Sequence, residues 1–303
     1  MESAQQIASA TPTSVPTVAQ IVAMAGELWP FATQESWDAS ELIVGRPEAP
    51  VRRILVAVDP VRPVVTEALD QRADLVLVHH PLMLGGQSSI AADQYKGRLI
   101  HDLIEHHVAL LACHTNADSA RDGVSETLIR ACGVPQSRPL KPLEQDPAVG
   151  LGRIGQLETP LSLEALAQRL AGVVPPTAQG VRVAGPRERQ IRTVAVCGGA
   201  GGSLLEDVAA TDADVYITAD LRHHPVSEAR EAAVHRHGDD GLCLIDLSHA
   251  ASEWLWAPVA ARQLKESLGE AGYDVDVVVS RCRTDPWDFQ IPSSHPEPQD
   301  RWQ

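Results

Sequence analysis

Cationic side chains are scarce. The 303 residues carry 25 Lys and Arg against 40 Asp and Glu, a formal net charge of −15. Phosphate contacts need Lys and Arg in excess, so this balance argues against a protein that coats nucleic acid. It argues equally against docking on an anionic membrane surface. Phe and Tyr number only two and three. No apolar run reaches the roughly 18 residues of a membrane-spanning helix. The opening stretch MESAQQIASATPTSVPT has neither a basic start nor an apolar centre, so it does not read as a secretory signal. The five cysteines (Cys113, Cys132, Cys197, Cys243 and Cys282) form no CxxC pair. A zinc ribbon and a disulfide framework are therefore both disfavoured. Buried free thiols and a reducing, cytoplasmic compartment are the expectation. The phosphate-loop lysine of GxxxxGK[ST] and the GxSxG elbow are also missing, and the glycine run at 198–203 departs from the GxGxxG dinucleotide fingerprint.

What is present is an ordinary globular composition, 44 % apolar and 21 % charged, with enough chain for one large or two medium domains. Val, Ile and Leu dominate seven short segments: 52–59, 73–80, 108–115, 193–199, 214–220, 241–247 and 273–280. They alternate little, as expected for strands covered on both faces. Helical patterns fall between them, at 63–72, 95–107, 125–131, 163–170, 203–210, 225–235 and 252–268. Strand–helix alternation predicts an α/β protein with largely parallel sheets. Proline-rich or loose connections at 135–152 and 172–190 mark off a middle lobe over 135–240. Residues 1–17 and 291–303 are expected to be disordered ends. One echo is visible: ADLVLVHHP (73–81) and DADVYITADLRHHP (212–225) each run Asp, strand, His-His-Pro.

The twelve histidines divide by position. His101, His106, His107, His235, His237 and His295 lie on polar helix faces or in a tail and read as solvated. His223 and His224 follow a predicted strand and stay open between surface and site. Three motifs sit at or just after strand ends: His79-His80-Pro81, His114-Thr115-Asn116-Ala117-Asp118, and Asp246-Leu247-Ser248-His249-Ala250-Ala251-Ser252-Glu253. Ligands of open α/β sheets bind beyond the carboxyl ends of strands, so these residues are candidates for one crevice. Imidazole suits zinc, iron, nickel and copper, while carboxylate suits harder ions such as manganese. His249 and Glu253 are four apart, neighbours on one face if a helix has begun there. The run Gly198-Gly199-Ala200-Gly201-Gly202-Ser203 reads either as an anion-holding turn or as a site of close packing.

In this order the motifs resemble the Nif-three-like family, whose bacterial members carry the label GTP cyclohydrolase I type 2 homologue. The likeness runs from about Val18 to Ser280. It rests on WPFATQESWDASELIVG (29–45), RRILVAVDPVRPVVTEALDQRADLVLVHHPLML (52–84), ACHTNAD (112–118), AVCGGAGG (195–202), ADVYITADLRHH (213–224) and LIDLSHAASE (244–253). The resemblance implies two mixed-sheet α/β lobes with the second inserted into the first. The first lobe (18–134 plus 241–290) is then expected to carry the site and 135–240 to be the insertion. It further implies two divalent ions, zinc, iron, manganese or nickel. His79 and His80 would each hold one, Asp118 would join His80, His249 would join His79, and Glu253 would bridge. His114 would be a catalytic or substrate-contacting histidine. A metal-dependent hydrolase acting on a small substrate such as GTP, assembled as a toroidal hexamer, follows by the same resemblance. Two other readings fit the same ligands: a metal-binding regulatory or interaction protein without turnover, and a dinuclear phosphoesterase or amidohydrolase. The chain departs from the family at WDAS, where WDN is usual, and at Leu247-Ser248, where Ala and Gly are usual.

Overall fold

A computed structural model describes residues 14–238 and 241–292. The chain divides into two compact α/β units, each with its own mixed sheet. Among the described residues, unit 1 comprises those within 14–127, 142–151 and 256–282, and unit 2 those within 128–141, 152–255 and 283–292.

Unit 1 begins with α1 (Val18–Leu28), started by a capping box in which the Thr17 and Gln20 side chains each take the other's backbone N–H. Thr17 is thus part of an ordered helix start, although the sequence reading places it in the lead-in. Residues 1–13 and 293–303 of the expected ends lie outside the described residues. The sheet consists of β1 (Glu41–Val44), β2 (Arg53–Ala57), β3 (Leu75–Val78), β4 (Ala109–Ala112) and β11 (Asp276–Val279). Its order is β1-β4-β3-β2-β11, parallel except for β1. Helices α2 (Arg62–Asp70) and α3 (Tyr95–Glu105) connect the central strands, and Pro63 lies in the first turn of α2.

Both faces of this sheet are buried, which explains the continuous apolar runs. Successive strand residues point to opposite faces. Ile54, Val56, Leu75, Leu77 and Leu111 enter one core with Trp29 and Trp256. Leu55, Val76, Val78 and Leu110 enter another with Val64 and Leu103 from the helices. Trp29 and Trp256 are fully buried and meet edge to face, 5.1 Å between ring centroids.

Unit 2 holds β5 (Ser137–Pro142), β6 (Gly150–Ser162), β7 (Arg182–Ala184), β8 (Gln190–Ala200), β9 (Val215–Ala219) and β10 (Cys243–Leu247), in the order β5-β6-β8-β9-β10-β7. The first residues of β6 and the last of β5 cluster with unit 1. Strands β8, β9 and β10 are mutually parallel, while β6 runs antiparallel to β8 and β7 antiparallel to β10. Helix α6 (Leu163–Ala171), capped by the Ser162 hydroxyl, places Leu163, Leu166 and Leu170 against Val194, Ile217 and Ile245.

Three expectations are corrected. The segment 241–255 belongs to unit 2, because β10 is hydrogen-bonded to β9 and β7. Unit 1 resumes only at Trp256 and ends at Cys282, and residues 128–134 also sit in unit 2. The connections 135–152 and 172–190 contain strands β5, β6 and β7; β5 tolerates Pro139 and Pro142 because it lies at a sheet edge. The helix predicted over 252–268 is two helices, α9 (His249–Trp254) and α10 (Trp256–Glu270), divided at Leu255.

Candidate metal centre

In unit 1 the chain ends of β3 and β4 bring three imidazoles together. His79 and His80 follow β3, held by backbone N–H groups that donate to the carbonyls of Ala57 and Val58 at 2.9–3.2 Å. His114 follows β4 and leads into the short helix α4 (Thr115–Ser119), which carries Asp118. One ligand atom from each of His79, His80 and His114 lies within 4.8 Å of the others. The His79 ring is fully buried, packed edge-on against Trp256 at 5.6 Å between centroids. Its Nε2 stands 3.8 Å from Asp118 Oδ1.

Each ring has its other nitrogen committed. The Nδ1–H of His79 donates to the Cys113 carbonyl at 2.9 Å. That of His80 donates to Asp59 Oδ1 at 2.7 Å, and that of His114 to Asp38 Oδ1 at 2.8 Å. Oxygen acceptors place the proton on Nδ1, so in the neutral ring the lone pair sits on Nε2. Asp38 is saturated: it also accepts from the Thr115 backbone N–H at 3.0 Å, the Ser40 hydroxyl at 3.1 Å and the Thr115 hydroxyl. Burial alone would raise its pKa, but the hydrogen bonds from His114 and Thr115 outweigh it and hold the carboxyl well below the ordinary range. Asp38 is therefore an ionised anchor.

Unit 2 carries the third motif. Strand β10 ends at Leu247, and α9 opens with His249 one turn before Glu253, whose Oε1 is 3.0 Å from His249 Nε2. Asp220 Oδ2 lies 2.7 Å from His249 Nδ1. With Nδ1 turned to Asp220, the Nε2 of this ring faces Glu253, a pair of donors suited to a metal ion. Asp246, named with this motif, is occupied elsewhere: it pairs with Arg182 and accepts the Leu221 backbone N–H at 3.0 Å. Ser248 bonds the Asp285 carboxylate.

The glycine run belongs to packing. Gly199 has φ +65°, and a Cβ there would collide with the Glu253 carboxylate. Its N–H donates to Ser252 Oγ at 2.9 Å, and that of Gly201 to Thr218 Oγ1 at 2.8 Å. These amides are thus engaged with side chains of their own unit. His223 and His224 are exposed at the start of α8 (His223–His237), their rings edge to face with 5.1 Å between centroids.

The donors of each unit suit a divalent transition metal. Three imidazoles in unit 1 and one in unit 2 have Nδ1 held by a carboxylate or carbonyl, the arrangement that fixes metal-binding histidines. Sequence reasoning names all four rings with Asp118 and Glu253 as candidates, and does not name Asp38, Asp59 and Asp220, which bond to the rings. Asp59 and Asp220 lie just beyond β2 and β9, and that position was the available signal. The cysteines conform to their reading, with Cys113, Cys132, Cys197 and Cys243 buried and Cys282 half-buried, all free thiols.

Comparison with known proteins follows the same outline. The family model described as Duf34/NIF3 (NGG1p interacting factor 3) matches residues 16–286. A Streptomyces coelicolor protein named "GTP cyclohydrolase 1 type 2 homolog" is 45 % identical over 282 residues, 92 % of this chain and 96 % of the relative. A Bacillus cereus structure described as related to NIF3 superposes with a TM-score of 0.81 at 22 % identity, covering 91 % of this chain and all of that one. A Staphylococcus aureus hypothetical protein gives 0.80 at 26 % identity, covering 91 % of this chain and 100 % of that one. Among the described residues, no helix is long and apolar enough to cross a membrane.

Proposed function

The chain belongs to the Duf34/NIF3 family, and from that premise we propose that it is a metal-dependent hydrolase of the GTP cyclohydrolase kind. His79, His80, Asp118, His249 and Glu253 are the proposed ligands of two divalent ions, and His114 the catalytic or substrate-contacting group. The observation that carries this reading is the commitment of every Nδ1 in the four rings to an oxygen acceptor. The exposed His106 makes a like bond, from Nδ1 to the Asp102 carbonyl at 2.8 Å, so the commitment supports the reading together with the clustering of His79, His80 and His114 within 4.8 Å.

When bound, divalent ions supply Lewis acidity and bring the pKa of water toward neutrality. The chain's own residues do the rest. Asp59, Asp38 and Asp220 lock the tautomers of His80, His114 and His249. With Asp38 ionised and bonded to its Nδ1–H, His114 can exchange a proton only at Nε2. Burial of His79 and of Asp118 keeps water from competing for their donor atoms. On this reading the substrate is small and anionic, of which GTP is the first to test. The protein is proposed to be a cytoplasmic homo-oligomer, a hexamer by the family resemblance.

Metal analysis of protein prepared without added metal tests the ligands. The reading expects about two ions per chain and marked loss in His80→Ala, Asp118→Ala and Glu253→Gln. Fewer than about one ion in the parent would remove the dinuclear reading. Consumption of GTP by the metal-loaded parent, abolished in Glu253→Gln, separates a hydrolase from a metal-binding protein without turnover. Phosphate esters and cyclic amides, assayed in parallel, detect a different hydrolytic substrate.

A further inference from the structure

Trp37 stands immediately before the carboxylate that anchors His114. Its ring meets His114 edge to face, 5.8 Å between centroids and 76° between planes, and the residue is 55 % exposed. A single exposed aromatic needs no explanation by itself. Here the surroundings differ from those of a loose surface side chain. The loop that carries Trp37 is stapled to α4 by a dense set of bonds. The backbone N–H of Glu35 donates to Thr115 Oγ1 at 2.9 Å, and Asp38 binds the ring of His114 and both the N–H and the hydroxyl of Thr115. The Ser40 hydroxyl sits 2.8 Å from Asn116 Oδ1 and accepts the His114 backbone N–H at 3.0 Å. The Asp38 side chain is itself fully buried. The loop beneath the indole is thus held in place, while the ring is open on much of its surface and meets one of three clustered imidazoles.

We infer that Trp37 is the stacking platform for a planar, purine-sized heteroaromatic ring, which it positions beside His114. This rests on the proposed reading of the histidine cluster as a reaction centre. It adds the group that recognises the ring, one exposed indole face. Stacking accepts any π-face of suitable size, so Trp37 selects for ring shape while other groups distinguish substituents. A loop already held in place also lowers the entropy cost of ordering its backbone on binding.

Equilibrium dialysis of the full-length protein, with and without zinc, tests the platform with two probes. Guanosine carries the ring without phosphate, and inorganic tripolyphosphate carries the charge without a ring. Trp37→Ala is expected to weaken guanosine binding about 5- to 150-fold. Trp37→Phe should retain most of it, and neither variant should change tripolyphosphate binding, zinc content or the thermal midpoint. Three results overturn the proposal: no guanosine binding by the parent, parental affinity in Trp37→Ala, or a guanosine loss matched by equal losses of zinc and tripolyphosphate. Sedimentation adds a fourth, since dissociation of an oligomer by Trp37→Ala would make this ring an interface residue. Failure of the metal reading is a separate result, a parent that holds no zinc.

Discussion

At the residue scale, function turns on carboxylates that touch no proposed substrate. Asp59 and Asp220 each hold the Nδ1–H of a histidine at 2.7 Å. Asp59→Asn and Asp220→Asn should reduce zinc affinity about 10- to 100-fold while leaving the fold intact, as measured by competition with a chromogenic chelator. Gly199 is the most restrictive backbone position near Glu253. At φ +65° a side chain is strained, and its Cβ would strike the Glu253 carboxylate. Gly199→Ala should lower the unfolding free energy by about 1–3 kcal/mol in urea titration and disturb metal binding as well. Glu67 gives a pH signature. Burial would raise its pKa, yet the bonds from Ser280, Arg281 and Cys282 outweigh burial and lower it from the ordinary 4.5. A depressed carboxyl contributes stability above its unfolded value and loses it as pH falls through the folded one. The stability gap between the parent and Glu67→Gln should therefore be full at pH 7 and close below about pH 4.5. A place just beyond a strand end was a signal for Asp59 and Asp220, but which histidine each aspartate holds was not legible, because each pair lies 21 to 76 positions apart.

At the element scale, the sequence echo proves to be a repeated strand–helix–strand device. Asp74, before β3, accepts the backbone N–H groups of Arg52 and Arg53 on the Oδ2 atom, at 2.6 and 2.9 Å. Asp214, before β9, accepts those of Arg192 and Thr193 on the same atom, both at 2.8 Å. Each aspartate also receives the next strand through its carbonyl, from Ala109 and Cys243. In this register His80 corresponds to Asp220, and the His-His-Pro repeats are not equivalent. After the third strand each unit has a histidine and a carboxylate four apart, His114 with Asp118 and His249 with Glu253. Asp74→Ala and Asp214→Ala should each lower stability by about 1–3 kcal/mol in chemical denaturation, because two strand amides lose their acceptor. All seven predicted strands are present, since uninterrupted Val, Ile and Leu are hard to place except between covering helices. Strands β5 and β7 escaped notice because edge strands carry prolines and charges that read as loop.

At the scale of the whole molecule, the two-unit α/β architecture was legible and its boundaries were not. A buried strand such as β10 has the same composition in either sheet, and only its pairing with β9 assigns it. With 15 excess negative charges, the chain gains from any cation that binds the native state alone. Zinc at about 100 times its dissociation constant should stabilise by about 2.7 kcal/mol, read as a shift in the urea midpoint that His79→Ala removes. The return of the chain to unit 1 after Leu255 has a further consequence, for the order of events on the ribosome. Strand β11 pairs with β2 in parallel register, Asp276 opposite Arg53, across more than two hundred intervening residues. All strands of the second sheet have been synthesised before β11 is made. The unit that starts last can therefore complete its sheet first, while the nascent first sheet waits with β2 as a temporary open edge. That edge is where a stalled or truncated chain would be exposed to mispairing.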